Sequence, residues 1–367
     1  MTRFSGRADF THGRPTRVGV LLCNLGTPEA PTPRAVRRYL AEFLADPRVV
    51  ELPRWLWLPI LHGIILNTRP RRSAHAYAAI WGADGSPLLR GSERLRDRLA
   101  EHLRARHGEV VEVALGMRYG QPSIAHAIDD LLAREVRQLL VVPLYPQYAS
   151  ATTASVMDAV FAHLGRLRWM PELRFVASYH DDPRYIGALA DSLRTHHAGA
   201  PRGERLLLSF HGIPHDTFIA GDPYFCQCQA SARLLGAELG LADDQLHVTF
   251  QSRVGPKRWL EPYTDKTLEA WGRAGVGDID VMCPGFAIDC LETLEEIALQ
   301  NAATFSAAGG GTLRYVPALN DSARHVEALG GVIEDHLGSW LAGARGDADT
   351  APARHEAAAR ARAMGGS

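Results

Sequence analysis

RLLLSFHGIP, Arg205–Pro214, is an apolar run that stops at a histidine and a glycine, as a buried parallel strand does at its carboxyl end. A second copy lies near the start of the chain: VGVLLCNLGTP, Val18–Pro28. Three more pairs follow in the same order. VEVALGMRYGQP (Val111–Pro122) pairs with LHVTFQSRVGP (Leu246–Pro256), and RQLLVVPLYPQYASATT (Arg137–Thr153) with DIDVMCPGFAIDCLET (Asp278–Thr293). LRFVASYHDDPRYIGAL (Leu173–Leu189) pairs with LRYVPALNDSARHVEAL (Leu313–Leu329). Helical stretches such as GSERLRDRLAEHLRARHG separate the strands. Strand–helix alternation, twice over, predicts an α/β protein of two similar doubly wound parallel-sheet domains, flavodoxin- or Rossmann-like, with strand order 2-1-3-4 in each.

The pattern sets expected boundaries: an N-terminal segment over 1–16, a first domain over 17–170, a second over 171–316, and a C-terminal helix over 317–342. The first domain carries an insertion between its first two strands, about 30–108, expected to form the lip of a cleft. From 343 to 367 large apolar residues almost vanish, which reads as a disordered tail.

The repeat also exposes an asymmetry. Aligning Gly26 with Gly212 sets Leu25 opposite His211, and aligning Thr153 with Thr293 sets Thr152 opposite Glu292. The scaffold therefore needs neither ionisable group, and both follow strand ends, where α/β proteins bind ligands. An imidazole facing a carboxylate makes a metal ligand pair or a proton acceptor. If the segment after Asp289 is helical, Asp289, Glu292 and Glu296 share one face, and such a stripe attracts a divalent cation. Glu295 reads as a solvated residue of the helix start.

The chain has 367 residues and a net charge of −1, which favours no nucleic-acid partner. Its five cysteines are scattered and odd in number, so they read as free thiols of a cytoplasmic protein. Cys226-Gln227-Cys228 lacks a second pair at zinc-site spacing, and no nucleotide-binding glycine loop is present. The N-terminal residues lack the apolar core of a signal peptide. LPRWLWLPILHGIILN (Leu52–Asn67) is too short to span a membrane; it reads as a core or lip helix, or as an apolar edge for a membrane surface or ligand. Arg69, Arg71 and Arg72 beside it suit an anionic lipid or ligand.

Seven motifs together resemble the ferrochelatase family, whose members insert ferrous iron into a porphyrin. They are LLCNLGTP, IWGADGSPL, MRYGQP, YPQYASATT, SFHGIPHDTFIAGDPY, FQSRVGPKRWLEPYTD and CPGFAIDCLETLEEI, in order from Val18 to about Leu329. The last of these and FCQCQ resemble the Gram-negative bacterial branch. The resemblance implies a chelatase fold. It also implies that His211 and Glu292 are the catalytic and iron-binding pair; the shared helix face read from spacing adds Asp289 and Glu296 as an auxiliary acidic path. It places Leu25, Arg69, Ser86, Arg118, Tyr119, Tyr145 and Trp259 around the porphyrin, with Arg69 and Ser86 near a propionate. Leu25 in place of a tyrosine implies protoporphyrin IX rather than coproporphyrin, and hence the terminal step of heme synthesis. Ferrous iron is then a substrate, no cofactor is tightly bound, and the cysteine placement implies no iron–sulfur cluster. A peripheral membrane contact is compatible with the apolar lip. A chelatase for another tetrapyrrole or metal, and a non-catalytic heme or metal carrier, remain as alternatives.

Overall fold

The computed structural model describes residues 4–6, 11–199, 201–242, 244–343 and 351–366. Its centre is two four-stranded parallel sheets, ordered β2-β1-β3-β4 and β6-β5-β7-β8. The first contains β1 (Arg17–Gly26), β2 (Val111–Tyr119), β3 (Val136–Pro143) and β4 (Glu172–Phe175). The second contains β5 (Arg205–His211), β6 (Leu246–Gln251), β7 (Ile279–Met282) and β8 (Leu313–Tyr315). The expected order 2-1-3-4 holds in both.

Strand register supports the alignment of the halves. Leu22 pairs with Val142, as Leu208 pairs with Met282. Asn24 pairs with Met117, as Phe210 pairs with Phe250. Leu25 therefore occupies the place of His211, Thr152 that of Glu292, and Arg118 that of Gln251. One correction follows at β6. Met117 N–H donates to the Pro122 carbonyl (2.6 Å) and Phe250 N–H to that of Pro262 (2.8 Å), so Pro262, not Pro256, is the counterpart of Pro122. The second half has a longer loop here, and that loop carries Ser252 and Trp259.

The expected boundary at 170/171 cuts through the first sheet, because β4 pairs with β3. The halves also exchange their last helices. Helix Pro183–Gly199 packs on helix Tyr224–Leu239, and helix Ala323–Gly343 on helix Pro87–His107. Arg106 and His107 reach Glu334 at 2.6 and 2.7 Å. Leu22, Leu140, Leu208, Met282, Leu329 and Leu337 consequently belong to one apolar core. Helix Pro87–His107 is likewise part of that core and not of the lip. Leu88, Leu95, Leu99 and Leu103 recur on one helical face and are buried against the sheet, so the lip ends near residue 80.

The lip comprises helix Pro33–Phe43 and a continuous helical run over 54–80. Leu61 and Leu66 of the apolar stretch are buried, while Trp55 and Ile64 are 79% and 58% exposed. In the tail expected to be disordered, residues 344–350 and 367 lie outside the described residues, but Ala351–Ala363 is a helix with no buried residue. Its alanine and arginine content carries high helix propensity, which needs no apolar face.

His325, buried in the C-terminal helix, donates from Nδ1 to the Asn320 carbonyl at 2.5 Å. Burial pushes its pKa down to about 4, against weaker upward pulls from Asn320 and Asp321. The unfolded chain, with a histidine near 6.5, binds the proton first. This contribution to stability is therefore present above pH 6.5 and is lost as pH falls toward 4. On going from pH 7 to pH 5 in urea titrations, the wild type should lose about 2 kcal/mol more than His325→Gln. Equal pH dependence of the two proteins would remove His325 as the cause.

Candidate active site

His211 is the last residue of β5 and is half-buried. Its Nδ1 lies 2.7 Å from the Gly212 carbonyl. A carbonyl only accepts, so Nδ1 carries the hydrogen and Nε2 keeps its lone pair as a base or ligand. Across the ladder, Gln251 pairs with His211. Gln251 accepts from Ser209 at 2.6 Å and donates from Nε2 to the Glu292 carbonyl at 2.8 Å. One buried amide thus ties the strand that carries His211 to the helix that carries Glu292.

Glu292 opens a wide π-helix, Glu292–Asn301, beyond β7. Four tuned groups surround it: Tyr39, Tyr77, Cys290 and Glu296 all sense its charge. Burial lifts the tyrosines and the Cys290 thiol far above their usual ranges, so they stand beside the carboxylate as neutral groups. Glu296 is raised, first by burial; bonds from Ser252 and the nearby His211 oppose the rise, and Glu292 adds to it. The Ser252 N–H donates to Glu296 Oε1 at 2.8 Å and its hydroxyl donates to Oε2. Glu296 thus lies within electrostatic reach of both His211 and Glu292, although no three His, Cys, Asp or Glu side chains among the described residues stand close enough to hold a metal ion.

Asp289 does not share their face, because it precedes the helix. Its carboxylate accepts from Tyr315 Oη (2.6 Å), Asn320 Nδ2 (2.8 Å), Thr293 Oγ1 (3.0 Å) and Ala318 N–H (3.3 Å). With its lone pairs so occupied, Asp289 pins the loop before the helix, and the expected stripe of three carboxylates is a pair.

The other candidates form two groups. Trp259 donates its indole N–H to the Val254 carbonyl at 3.0 Å and packs on Gly212, where a Cβ would come within 3.2 Å of the ring. Arg118 and Tyr119, at the end of β2, converge on the buried carboxylate of Asp46. Tyr145 lies beside Tyr119, Arg118 and Cys290, and its buried hydroxyl has no hydrogen-bond partner among the described residues. Tyr39 senses both Glu292 and the Tyr119–Tyr145 group and so joins the two ends of the site. Leu25 is half-buried, and Ser86 Oγ–H donates to Thr27 Oγ1 at 2.9 Å, two residues further on. Arg69 stands apart, exposed on helix Leu66–Ile80, with no hydrogen bond or ion pair among the described residues.

Sequence reasoning missed Tyr39, Asp46, Tyr77, Ser155, Gln251 and Ser252. Gln251 was recoverable: it sits beside His211 once the two strands are placed in register. Tyr39, Asp46 and Tyr77 carry no such signal, since only the docking of the lip brings them in. A cavity of about 160 Å³ bounded by Leu193, His197, Gly203, Leu206 and Asp280 lies near the amino ends of β5 and β7, at the far end of the sheet from His211.

Residues 17–337 match the family model described as Ferrochelatase. A ferrochelatase of Nitrosococcus oceani is 53% identical over 337 residues, covering 92% of this chain and 91% of that protein. One of Thioalkalivibrio sulfidiphilus is 50% identical over 363 residues, covering 99% and 98%. Among solved structures, SirB from Bacillus subtilis with Fe3+ superposes with a TM-score of 0.52 at 11% identity, covering 89% of this chain and 98% of SirB. That likeness concerns the fold.

Of the five cysteines, Cys226 is exposed and the other four are buried. Burial holds the Cys23, Cys228, Cys283 and Cys290 thiols above their usual range and so suppresses the reactive thiolate. Titration of native protein with Ellman's reagent should release one fast equivalent, which Cys226→Ser removes. Fast labelling of Cys290 would show that the site around Glu292 is open.

Proposed function

The chain belongs to the ferrochelatase family, and on that footing we propose that it inserts ferrous iron into protoporphyrin IX, with His211 and Glu292 as the reacting pair. Metallation removes two pyrrole N–H protons as Fe2+ takes their place. The observation that carries the assignment is the bond between His211 Nδ1 and the Gly212 carbonyl: it leaves Nε2 as the available base, with Glu296 within electrostatic reach. Nε2 accepts a pyrrole proton. Glu292 guides the metal and receives protons, and Glu296 passes them outward along the same helix face. Trp259, Leu25 and Tyr145 supply apolar surface for the macrocycle. Arg69, uncommitted, and Ser86 serve the propionates. Leu25, at the place of His211 in the other half, favours protoporphyrin over coproporphyrin. The cysteines sit on separate elements, which supports a reading without an iron–sulfur cluster.

Purified protein with ferrous iron and protoporphyrin under anaerobic conditions should form heme. His211→Ala should lose at least about a hundredfold in kcat, the low end of what a general base contributes, while still binding porphyrin; retention of more than about a tenth of wild-type kcat would remove His211 from that role. Binding without turnover by the wild type would indicate a carrier. Faster turnover of another tetrapyrrole or metal would reassign the substrate.

The lip also supports a peripheral membrane contact. Leu52, Trp55, Leu56 and Ile64 project from it, with unpaired Arg69 on the helix that follows. No helix among the described residues is long and apolar enough to cross a membrane. Such a surface suits insertion of side chains into the headgroup boundary of anionic lipid. Sedimentation with anionic vesicles should recover the wild type and leave Trp55→Ser/Ile64→Ser in the supernatant. Equal recovery of both would place the contact elsewhere.

A further inference from the structure

Asp46 sits just past helix Pro33–Phe43, where the lip meets the carboxyl end of β2. Its side chain is 3% exposed, although nothing in its own segment requires a buried charge. Oδ2 accepts from Arg118 Nη2, from Tyr119 Oη at 2.8 Å and from Ser155 Oγ at 2.5 Å; Oδ1 accepts from the Arg48 N–H at 2.7 Å. Burial alone would raise this carboxyl, but the bonds from Ser155, Tyr119 and Arg48 N–H and the Arg118 charge outweigh it and hold it below its usual range. Asp46 is thus an ionised carboxylate with both oxygens occupied.

The partners are equally constrained. Arg118 Nε donates to the Ser155 carbonyl at 2.9 Å and to its hydroxyl at 2.7 Å. The guanidinium lies 4.6 Å from the Tyr119 ring centroid. Its Nη1 makes no hydrogen bond among the described residues and remains for a ligand. A salt bridge from Arg48 to Asp158 at 2.7 Å and a bond from the Gly120 N–H to Glu42 at 2.8 Å fasten the surrounding loop.

We infer that Asp46 is a positioning residue for metal insertion: it orients Arg118 and Tyr119 in the cleft and cancels the charge of Arg118, which would otherwise repel the incoming dication. The inference rests on the ferrochelatase reading of the site. Electrostatics favours it over a purely structural role. A buried ion pair is a weak source of stability compared with well-packed apolar residues, whereas an uncompensated arginine raises the local potential felt by Fe2+. In the second half the counterparts of Arg118 and Tyr119 are Gln251 and Ser252, so the fold itself does not demand this ionic cluster.

The test compares KM for ferrous iron with KM for protoporphyrin in full-length Asp46→Asn, Arg118→Met, the double variant and Ser155→Ala. Porphyrin binding, followed by fluorescence, verifies the folded state. Asp46→Asn should raise the iron KM about fivefold or more, as an exposed unit charge does for a dication, with the porphyrin KM within about twofold. Adding Arg118→Met should return the iron KM to that of Arg118→Met alone, because the repelling charge is gone. A structural role for Asp46 would not be rescued by removing its partner. Ser155→Ala keeps the ion pair and the bond to the residue-155 carbonyl but removes the hydroxyl that holds Arg118 and Asp46 in one geometry. It should lower kcat with the iron KM unchanged, and this variant decides the positioning role should Asp46→Asn not fold. An unchanged iron KM in Asp46→Asn, a rise that persists in the double variant, or wild-type kcat in Ser155→Ala would overturn the inference. Wild-type turnover in the same assay speaks for the ferrochelatase reading itself, and its absence would remove both.

Discussion

The register of β5 between β6 and β7 governs the site. Side chains alternate along a strand, so a slip of one residue would turn His211 to the opposite face and break its pairing with Gln251. Buried Leu206, Leu207 and Leu208, and Phe210 within the shared core, make such a slip costly. The bond from Gln251 to the Glu292 carbonyl then carries this register into the π-helix. Two groups far apart in sequence are held together by one apolar strand and one amide.

Duplication supplied the scaffold, and divergence at equivalent points supplied the chemistry. Leu25 faces His211 across the repeat, Thr152 faces Glu292, and the Arg118–Tyr119 pair faces Gln251–Ser252. The second half gathers the groups proposed to accept protons and metal. Beside its cation Arg118 the first half sets two tyrosines and the carboxylate of Asp46, whose charge Arg118 already engages. A neutral apolar macrocycle lying between the two would meet a basic, metal-attracting face on one side and a charge-compensated face on the other. The exchange of terminal helices keeps the halves from separating, because each buries a helix of the other in a common core.

The lip touches both ends of the candidate site. Val36, Ala74 and Tyr77 pack with Leu291, the residue before Glu292. The same insertion supplies Tyr39 beside the carboxylate and Asp46 beside Arg118. Its outer side exposes Trp55 and Ile64. A change in the lip therefore reaches both ends of the site.

Strand content, sheet order and the positions of His211 and Glu292 beyond the strand ends were legible in the sequence. They depend on local properties: apolar runs of strand length, glycine at strand ends, and a repeat whose two copies differ at ionisable positions. The motifs shared with ferrochelatases singled out the residues proposed here for the porphyrin. The end of the lip was misplaced because an amphipathic pattern in Pro87–His107 states that a helix has an apolar face but not which sheet it covers. The acidic stripe was overextended because sequence spacing cannot tell a helical Asp289 from one captured by Tyr315 and Asn320 just before the helix begins. Asp46, Tyr39, Gln251 and Ser252 acquired their places only through tertiary docking, since the bonds that define them join segments tens to hundreds of residues apart. Local propensity and periodicity are written in neighbouring residues; burial and charge compensation exist only once distant segments have met.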